Sequence, residues 1–261
     1  MAELLFWPAV VLYGEAILGY LGEARRPGAG GRAAIWGVRL GWLAQTALLC
    51  VQAAREDGFP WGTWAGSLNL FVWLVVATYL FWGSRRPYRL LGLTVMPLAA
   101  ALLVVARTGG GTGVGPQSRY SNLFLVVHVG LVLLAFAGLT VAACLSGLYL
   151  WQERRLKRRA ATILSRPVPS LAALDRLTLR LVAVSLPLLT LGIAVGLVRL
   201  LVRDDAVDAL VVATLVTWAA WAAYLVLRLR GLTGRRAAYV ALAGFLLVIV
   251  VRLALPAAHF A

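Results

Sequence analysis

The chain has few of the residues that cover the surface of a soluble protein. Only 13% of its 261 residues are charged, whereas 62% are hydrophobic. A soluble domain of this size cannot hide so much apolar surface, so we expect the chain to lie in a lipid bilayer. Acidic residues are also scarce, with 10 against 25 lysines and arginines, and the resulting charge of +15 would suit nucleic acid. The arginines form short clusters between apolar runs, however, which indicates membrane topology and no nucleic-acid partner.

Cysteine and histidine are scarce as well, which limits the chemistry available. Cys50 and Cys144 lie in apolar runs expected near opposite faces of the bilayer, which excludes a disulfide between them. We interpret both as small buried apolar residues. Two histidines, His128 and His259, do not suffice for a zinc site with four protein ligands. The first apolar run has acidic flanks and no basic segment before it, so no cleavable signal peptide is predicted.

Eight long apolar runs predict an all-α, polytopic membrane protein that forms a single integral membrane domain over residues 1–261. Basic clusters follow the odd-numbered spans. The positive-inside rule therefore places those connections in the cytoplasm and both termini outside. The predicted spans are Glu3–Leu21, Ala34–Ala54, Trp64–Gly83, Leu90–Ala106, Ser121–Leu150, Leu177–Leu201, Val207–Arg228 and Ala237–Leu255.

The longest predicted cytoplasmic connection, residues 152–176, is strongly basic. Its first part predicts a solvated turn or an extension of the fifth helix, which Pro167 and Pro169 interrupt. Ser170 is a suitable N-cap for a short amphipathic helix at the inner headgroups. A helix that binds a partner protein is the alternative.

The predicted topology places both histidines on the external side. His128 lies about 12 Å along the fifth span from Tyr120, at 1.5 Å per residue, and His259 lies at or beyond the outer end of the eighth. Neutral imidazole is a common ligand of haem iron, and two from different helices can occupy both axial positions. A hydrogen-bonded structural histidine is the alternative.

Several further residues near the predicted outer face suit a flat, anionic ligand. Arginine pairs well with carboxylates such as haem propionates, although snorkelling to the interface is the alternative. The arginines are Arg107, Arg119, Arg199, Arg203 and Arg252. Trp61 and Trp64, at the outer end of the third span, are either interface anchors or the lining of an apolar pocket.

Glu15 and Arg39 are charged residues inside the first two spans, at matched depth from the inner face. Ionisable groups within a membrane are functional suspects by default. We prefer a structural ion pair between them. A pathway for protons or substrate is the alternative.

Four segments give the chain a family likeness. They are GlyPhePro at 58–60 with SerLeuAsnLeuPhe at 67–71, LeuValValHisValGlyLeu at 125–131, the stretch Leu171–Leu191, and LeuThrGlyArgArgAlaAlaTyr at 232–239 with AlaAlaHisPheAla at 257–261. With these residues the chain resembles the cytochrome c assembly (CcsA/CcmC-like) family of haem-handling membrane proteins, and within it the short eight-helix HemX and YpjD branch.

The resemblance implies a membrane haem-handling protein in the bacterial cytoplasmic (inner) membrane. His128 and His259 would be axial ligands of haem b, and the role would be cytochrome c biogenesis or haem homeostasis, with another membrane protein of the pathway as a possible partner. The family's tryptophan-rich segment corresponds to residues 207–213, which keep Asp208 but contain no tryptophan. We therefore expect a simple haem-binding or regulatory role, and not the export of haem with its ligation to cytochrome c.

Two functions without haem stay open. A secondary transporter predicts inverted repeats and polar residues near the bilayer midplane, and the sequence shows few such residues and no convincing repeat. A non-catalytic accessory subunit would dock through the basic connections. Nothing in the sequence indicates a hydrolase or transferase site.

Overall fold

The computed structural model describes residues 2–25, 30–54, 63–110, 122–157, 169–203 and 209–254, and the secondary structure in these ranges is entirely helical. The prediction of an all-α chain is confirmed. Six of the described helices are long and apolar enough to cross a membrane, as expected of a multi-pass membrane protein. The α-helices are α1 (Ala2–Arg25), α2 (Gly31–Ala53), α3 (Trp64–Trp82), α4 (Gly92–Thr108), α5 (Asn122–Lys157), α6 (Leu171–Arg203), α7 (Ala209–Leu229) and α8 (Gly234–Ala254), and a 3₁₀ helix, Arg86–Leu91, precedes α4.

Helices α5 and α6 extend beyond the apolar runs that predicted them. Helix α5 continues past Leu150 to Lys157. Of the two predicted forms of this basic stretch, a solvated turn or a helix extension, its described part is therefore the helix extension. Ser170 caps α6, because its Oγ accepts the N–H of Ala173 at 3.1 Å. The residues predicted as a short amphipathic helix thus form the first turns of α6.

The chain divides into two compact units, one with α1–α4 and one with α5–α8. In the first unit, α1 packs against α2 and α4, and α3 packs against α4. The buried face of α1 follows helical spacing and consists of Phe6, Ala9, Tyr13, Ala16 and Tyr20. Gly41 of α2 lets the two helices approach, since a Cβ there would lie 2.7 Å from Cε1 of Tyr13.

In the second unit, α5 packs against α6 and α8, and α7 packs against both α6 and α8. Small residues line the buried side of α5, among them Ala135, Gly138 and Ala142. Gly138 contacts the hydroxyl of Ser185 on α6. Close approach through small residues is how membrane helices gain packing energy without a hydrophobic driving force between them.

The cysteines correct one prediction. Neither Cys50 nor Cys144 forms a disulfide, and Cys144 is half-buried on α5. Cys50 is exposed, so its interpretation as a buried residue is wrong. The buried face of α2 is taken by Gln45, Leu48 and Gln52, which turns Cys50 outward.

Candidate functional site

His128 lies near the beginning of α5, in the second unit, with a half-buried imidazole. Its position is about 9 Å along the helix from Asn122, at 1.5 Å per residue. The ring faces α6, where its Nδ1 lies 2.9 Å from the carbonyl oxygen of Gly192. The preceding residues Val126 and Val127 are exposed, so His128 occupies the edge of the buried face of α5.

Two glycines one turn apart on α6 make this contact possible. A Cβ on Gly196 would lie 2.6 Å from Cε1 of His128, and one on Gly192 would lie 2.7 Å from Cγ2 of Val132. Helices α5 and α6 are antiparallel here, because residue numbers rise along α5 as they fall along α6. The paired positions are His128 with Gly196, Val132 with Gly192, and Gly138 with Ser185. Our sequence reading missed this partner of His128, although GlyIleAlaValGly at 192–196 has the small-xxx-small spacing of packed membrane helices.

The hydrogen bond selects one tautomer of the imidazole. A carbonyl oxygen can only accept, so Nδ1 carries a proton, and a neutral ring then has its lone pair on Nε2. Metal-ligating histidines are held in this way, with one ring nitrogen donating to a carbonyl or carboxylate while the other binds the metal. On this observation His128 fits the role of an axial haem ligand.

The other predicted site residues are only partly covered by the structure. Trp64, in the first unit, is the first residue of α3, is 47% exposed, and lays its indole against Gly109 at the end of α4. Arg199 and Arg252 belong to α6 and α8, but their side chains are outside the described set. Trp61, Arg119, Asp208 and His259 lie outside the described residues. Within the ranges that the structure covers, three or more His, Cys, Asp or Glu side chains do not come together as a metal site.

The expected ion pair between Glu15 and Arg39 is wrong. Both side chains are exposed, and among the ion pairs of the described residues none joins them. Arg39 instead lies over the ring of Trp36, 5.0 Å from its centroid. Matched depth did not suffice, because α1 buries the face with Tyr13 and Ala16 against α2 and turns Glu15 away.

A buried amide cluster in the first unit joins three helices, and the sequence reading did not anticipate it. Gln45 accepts the hydroxyl of Tyr13 at 2.8 Å and donates through Nε2 to both the backbone oxygen and Oδ1 of Asn69, at 3.0 and 2.9 Å. Asn69 in turn donates to Gln52 at 3.4 Å. These four residues, at most 1% exposed, are called the amide cluster below. Few polar residues were expected near the bilayer midplane, and the structure shows that these four bury their polar groups against one another.

Asp175 and Arg228 form an ion pair in the second unit, with 4% of the arginine side chain and 19% of the aspartate side chain exposed. The guanidinium donates to both carboxylate oxygens, Nη1 to Oδ1 at 2.9 Å and Nη2 to Oδ2 at 2.8 Å, and Nη1 also donates to the carbonyl of Leu232 at 3.0 Å. The pair ties the beginning of α6 to the end of α7. A cavity of about 10 Å³ lies beside Asp175, with room for about one water, and is lined by Ser146, Tyr149, Asp175, Thr178, Tyr224 and Ala238.

The comparison with known proteins decides the family. A family model described as cytochrome C assembly protein matches residues 61–256. The chain belongs to the cytochrome c assembly protein family. This membership supports a role in cytochrome c biogenesis, and together with the relatives below it confirms the family resemblance inferred from the four sequence segments.

Individual relatives agree with this family. Cytochrome c biogenesis protein CcsA of Microcystis aeruginosa is 26% identical over 267 aligned positions, which cover 81% of this chain and 80% of the relative. Protein HemX of Brevibacillus brevis is 27% identical over 160 residues, which cover 60% of this chain and 58% of HemX. An uncharacterized 28.8 kDa protein of Azospirillum brasilense is 29% identical over 250 residues, covering 89% of this chain and 87% of that protein. No solved structure matches the chain significantly.

Proposed function

We propose that this family member is a haem-handling protein of the bacterial cytoplasmic membrane, which binds haem b through His128 and His259 and acts in cytochrome c biogenesis or haem homeostasis. We propose further that it has eight spans with both termini outside, so that both histidines serve the external face. A partner from the same pathway would receive or supply the haem.

The observation that supports this proposal is the hydrogen bond from Nδ1 of His128 to the carbonyl of Gly192, 2.9 Å long. It leaves Nε2 as the unprotonated nitrogen of a neutral ring and restrains the imidazole against α6. The backbone of α6 thus supports the tautomer of His128 that iron ligation through Nε2 would use. The second ligand, His259, is proposed from the family resemblance of the C-terminal segment.

Other residues of the same part of the chain have supporting roles in the proposal. Arg199 and Arg252 would pair with the propionates, because a guanidinium offers paired donors to a carboxylate. Asp208 would occupy the position of the aspartate in the family's tryptophan-rich haem segment. Trp61 and Trp64 are proposed as anchors at the membrane interface, in keeping with the exposed indole of Trp64. When bound, haem would supply any redox chemistry, and the protein would supply ligation and orientation.

The test is the absorption spectrum of the full chain, purified in detergent, supplied with haem and recorded oxidised and reduced. We expect a Soret band and the sharp reduced bands of six-coordinate haem. His128→Gly and His259→Gly should each abolish the six-coordinate spectrum, and added imidazole should restore it, because the free ligand fills the space left by the side chain. A structural role for either histidine would not be rescued by imidazole.

Two results would contradict the proposal. One is a wild-type protein that stays colourless with haem although it is folded and monodisperse. The other is a pair of histidine variants whose spectra equal that of the wild type. Gln45→Leu is a matched control, since it alters a buried polar residue of the first unit and should leave the spectrum unchanged.

A secondary transporter is the second candidate, and the amide cluster favours it. Buried polar side chains inside a helical membrane protein can mark a substrate pathway. The amides of this cluster bond to one another, however, which also suits a purely structural role. A folded chain without a haem spectrum, whose Gln45→Leu variant is as stable as the wild type, would favour the transporter.

A further inference from the structure

Two arginines from different helices converge on one tyrosine at the end of the second unit where α5 finishes and α8 begins. Arg235, in the first turn of α8, donates through Nη2 to the hydroxyl of Tyr239 at 3.4 Å. Arg154, in the last turn of α5, lies close to the same hydroxyl. These three residues are called the Arg154–Arg235–Tyr239 cluster.

The positive charge of this cluster is only partly balanced by the ion pairs of the described residues. Its nearest carboxylate is that of Glu153, whose Oε2 lies 4.0 Å from Nε of Arg235. The same carboxylate binds Lys157 at 2.8 Å through Oε1. Arg235 also lies at a helix N-terminus, where the partial positive charge of the helix disfavours a cation. In the part of the chain that the structure describes, Arg235 and Lys157 therefore share the carboxylate of Glu153.

The cluster is exposed and is flanked by side chains typical of a membrane interface. The side chain of Arg235 is 56% exposed and Tyr239 is 41% exposed. Trp151, one turn before Arg155, is 36% exposed and carries the guanidinium of Arg155 over its ring, 4.6 Å from the centroid. Exposed Trp and Tyr rings concentrate at the headgroup level of bilayers. The apolar Leu156, 41% exposed, lies on the same turn of α5.

We propose that the Arg154–Arg235–Tyr239 cluster binds the phosphate group of an anionic phospholipid. The two guanidinium groups and the hydroxyl offer converging donors to phosphate oxygens, and the phosphate neutralises charges that Glu153 alone does not balance. We assign the phosphate to a lipid, and not to a soluble ion, because exposed Trp151, whose ring an acyl chain can cover, lies three residues before Arg154 on α5. This site does not depend on haem binding.

The test uses the full chain, purified and delipidated in detergent, and titrated with dioleoyl phosphatidylglycerol or dioleoyl phosphatidylcholine. Bound lipid is counted by native mass spectrometry. We expect phosphatidylglycerol to bind in preference to phosphatidylcholine. The double variant Arg154→Gln with Arg235→Gln should lose about 25-fold in that affinity, since each basic residue near a lipid surface contributes about fivefold. Tyr239→Phe, which keeps the charge, should weaken binding less than the double variant does.

The matched control is Arg176→Gln with Arg180→Gln, which removes the same charge from two exposed positions on α6 of the same unit. It should bind phosphatidylglycerol as the wild type does. An equal loss in both double variants would overturn the site, because net charge alone would then explain the preference. Binding that inorganic phosphate displaces at equimolar concentration would overturn the lipid assignment, and unchanged binding in a folded Arg154/Arg235 double variant would do the same.

Discussion

Nδ1 of His128 lies 2.9 Å from the main-chain oxygen of Gly192, across the packing of α5 against α6. The contact depends on a helix pair that is close enough for an imidazole to reach the backbone of its neighbour. Gly192 and Gly196 provide that closeness, because a Cβ on Gly196 would meet the imidazole and a Cβ on Gly192 would meet Val132 of α5. The orientation of the proposed ligand is thus set by α6 and not by the helix that carries it.

We predict that Gly196→Ala disturbs His128. The new methyl group would lie 2.6 Å from Cε1 of the ring, so either the imidazole or the helix pair must shift. The expected loss is about 1–3 kcal/mol in the free energy of unfolding, as for other overpacked sites, together with a weakened haem spectrum under the proposed function. Gly147→Ala on the same helix as His128 is the control, because a Cβ there has nothing within 4 Å. Equal thermal unfolding midpoints for the two variants would rule out the tight contact.

Breaking the Asp175–Arg228 ion pair should destabilise the second unit strongly. Asp175→Ala leaves a guanidinium whose side chain is 4% exposed without its carboxylate, and removing one partner of a buried pair costs about 3–5 kcal/mol. The comparison variant is Glu153→Gln, which breaks the exposed pair with Lys157 and should cost less than about 0.5 kcal/mol. Denaturant titration of the solubilised protein measures both values. Similar losses in the free energy of unfolding would show that the Asp175–Arg228 pair stabilises the protein no more than the Glu153–Lys157 pair does.

The amide cluster predicts a graded series in the first unit. Tyr13→Phe removes one hydrogen bond and should cost about 0.6 kcal/mol, the average for polar contacts between membrane helices. Gln45→Leu removes that bond and the two to Asn69, leaving buried polar atoms without their partner, and should cost about 2 kcal/mol. Thermal unfolding of each variant gives the order. A Gln45→Leu protein no less stable than Tyr13→Phe would show that the bonds to Asn69 contribute nothing.

Glu15 and Arg39 should behave as independent residues. Their side chains are exposed and form no ion pair with each other among the pairs of the described residues. In a double-mutant cycle with Glu15→Gln and Arg39→Gln, the coupling free energy should stay within about 0.3–0.5 kcal/mol of zero. A coupling free energy well above that range would show that Glu15 and Arg39 do form the ion pair predicted from their matched depth.

Several features of the fold were predictable because the membrane limits the backbone to few solutions. In lipid every backbone N–H and C=O must be hydrogen-bonded within the protein, and a single apolar run of about 20 residues achieves this within itself as a helix. The third span, predicted as Trp64–Gly83, is observed as Trp64–Trp82 for this reason. The N-cap role of Ser170 was equally local, since it needs only a hydroxyl three residues before an available N–H.

The site was predictable only as a list of residues. His128 was singled out because it is one of two histidines, but its bond to Gly192 joins positions that are 64 residues apart. Asp175 and Arg228 pair across 53 residues, and no pattern in the sequence predicted this pairing. These relations depend on how each helix is rotated about its axis. A helix that is apolar on all sides has no polar stripe from which that rotation can be read.

The sequence by itself therefore determined that the chain is helical, apolar enough for a bilayer, and composed of segments that resemble cytochrome c assembly proteins. Only the tertiary structure decided that Glu15 turns away from Arg39, that Gln45 reaches Asn69, and that His128 bonds to the backbone of α6. The physical reason is that hydropathy reports the solvent around a helix, whereas side-chain packing between helices selects which face of each one is buried.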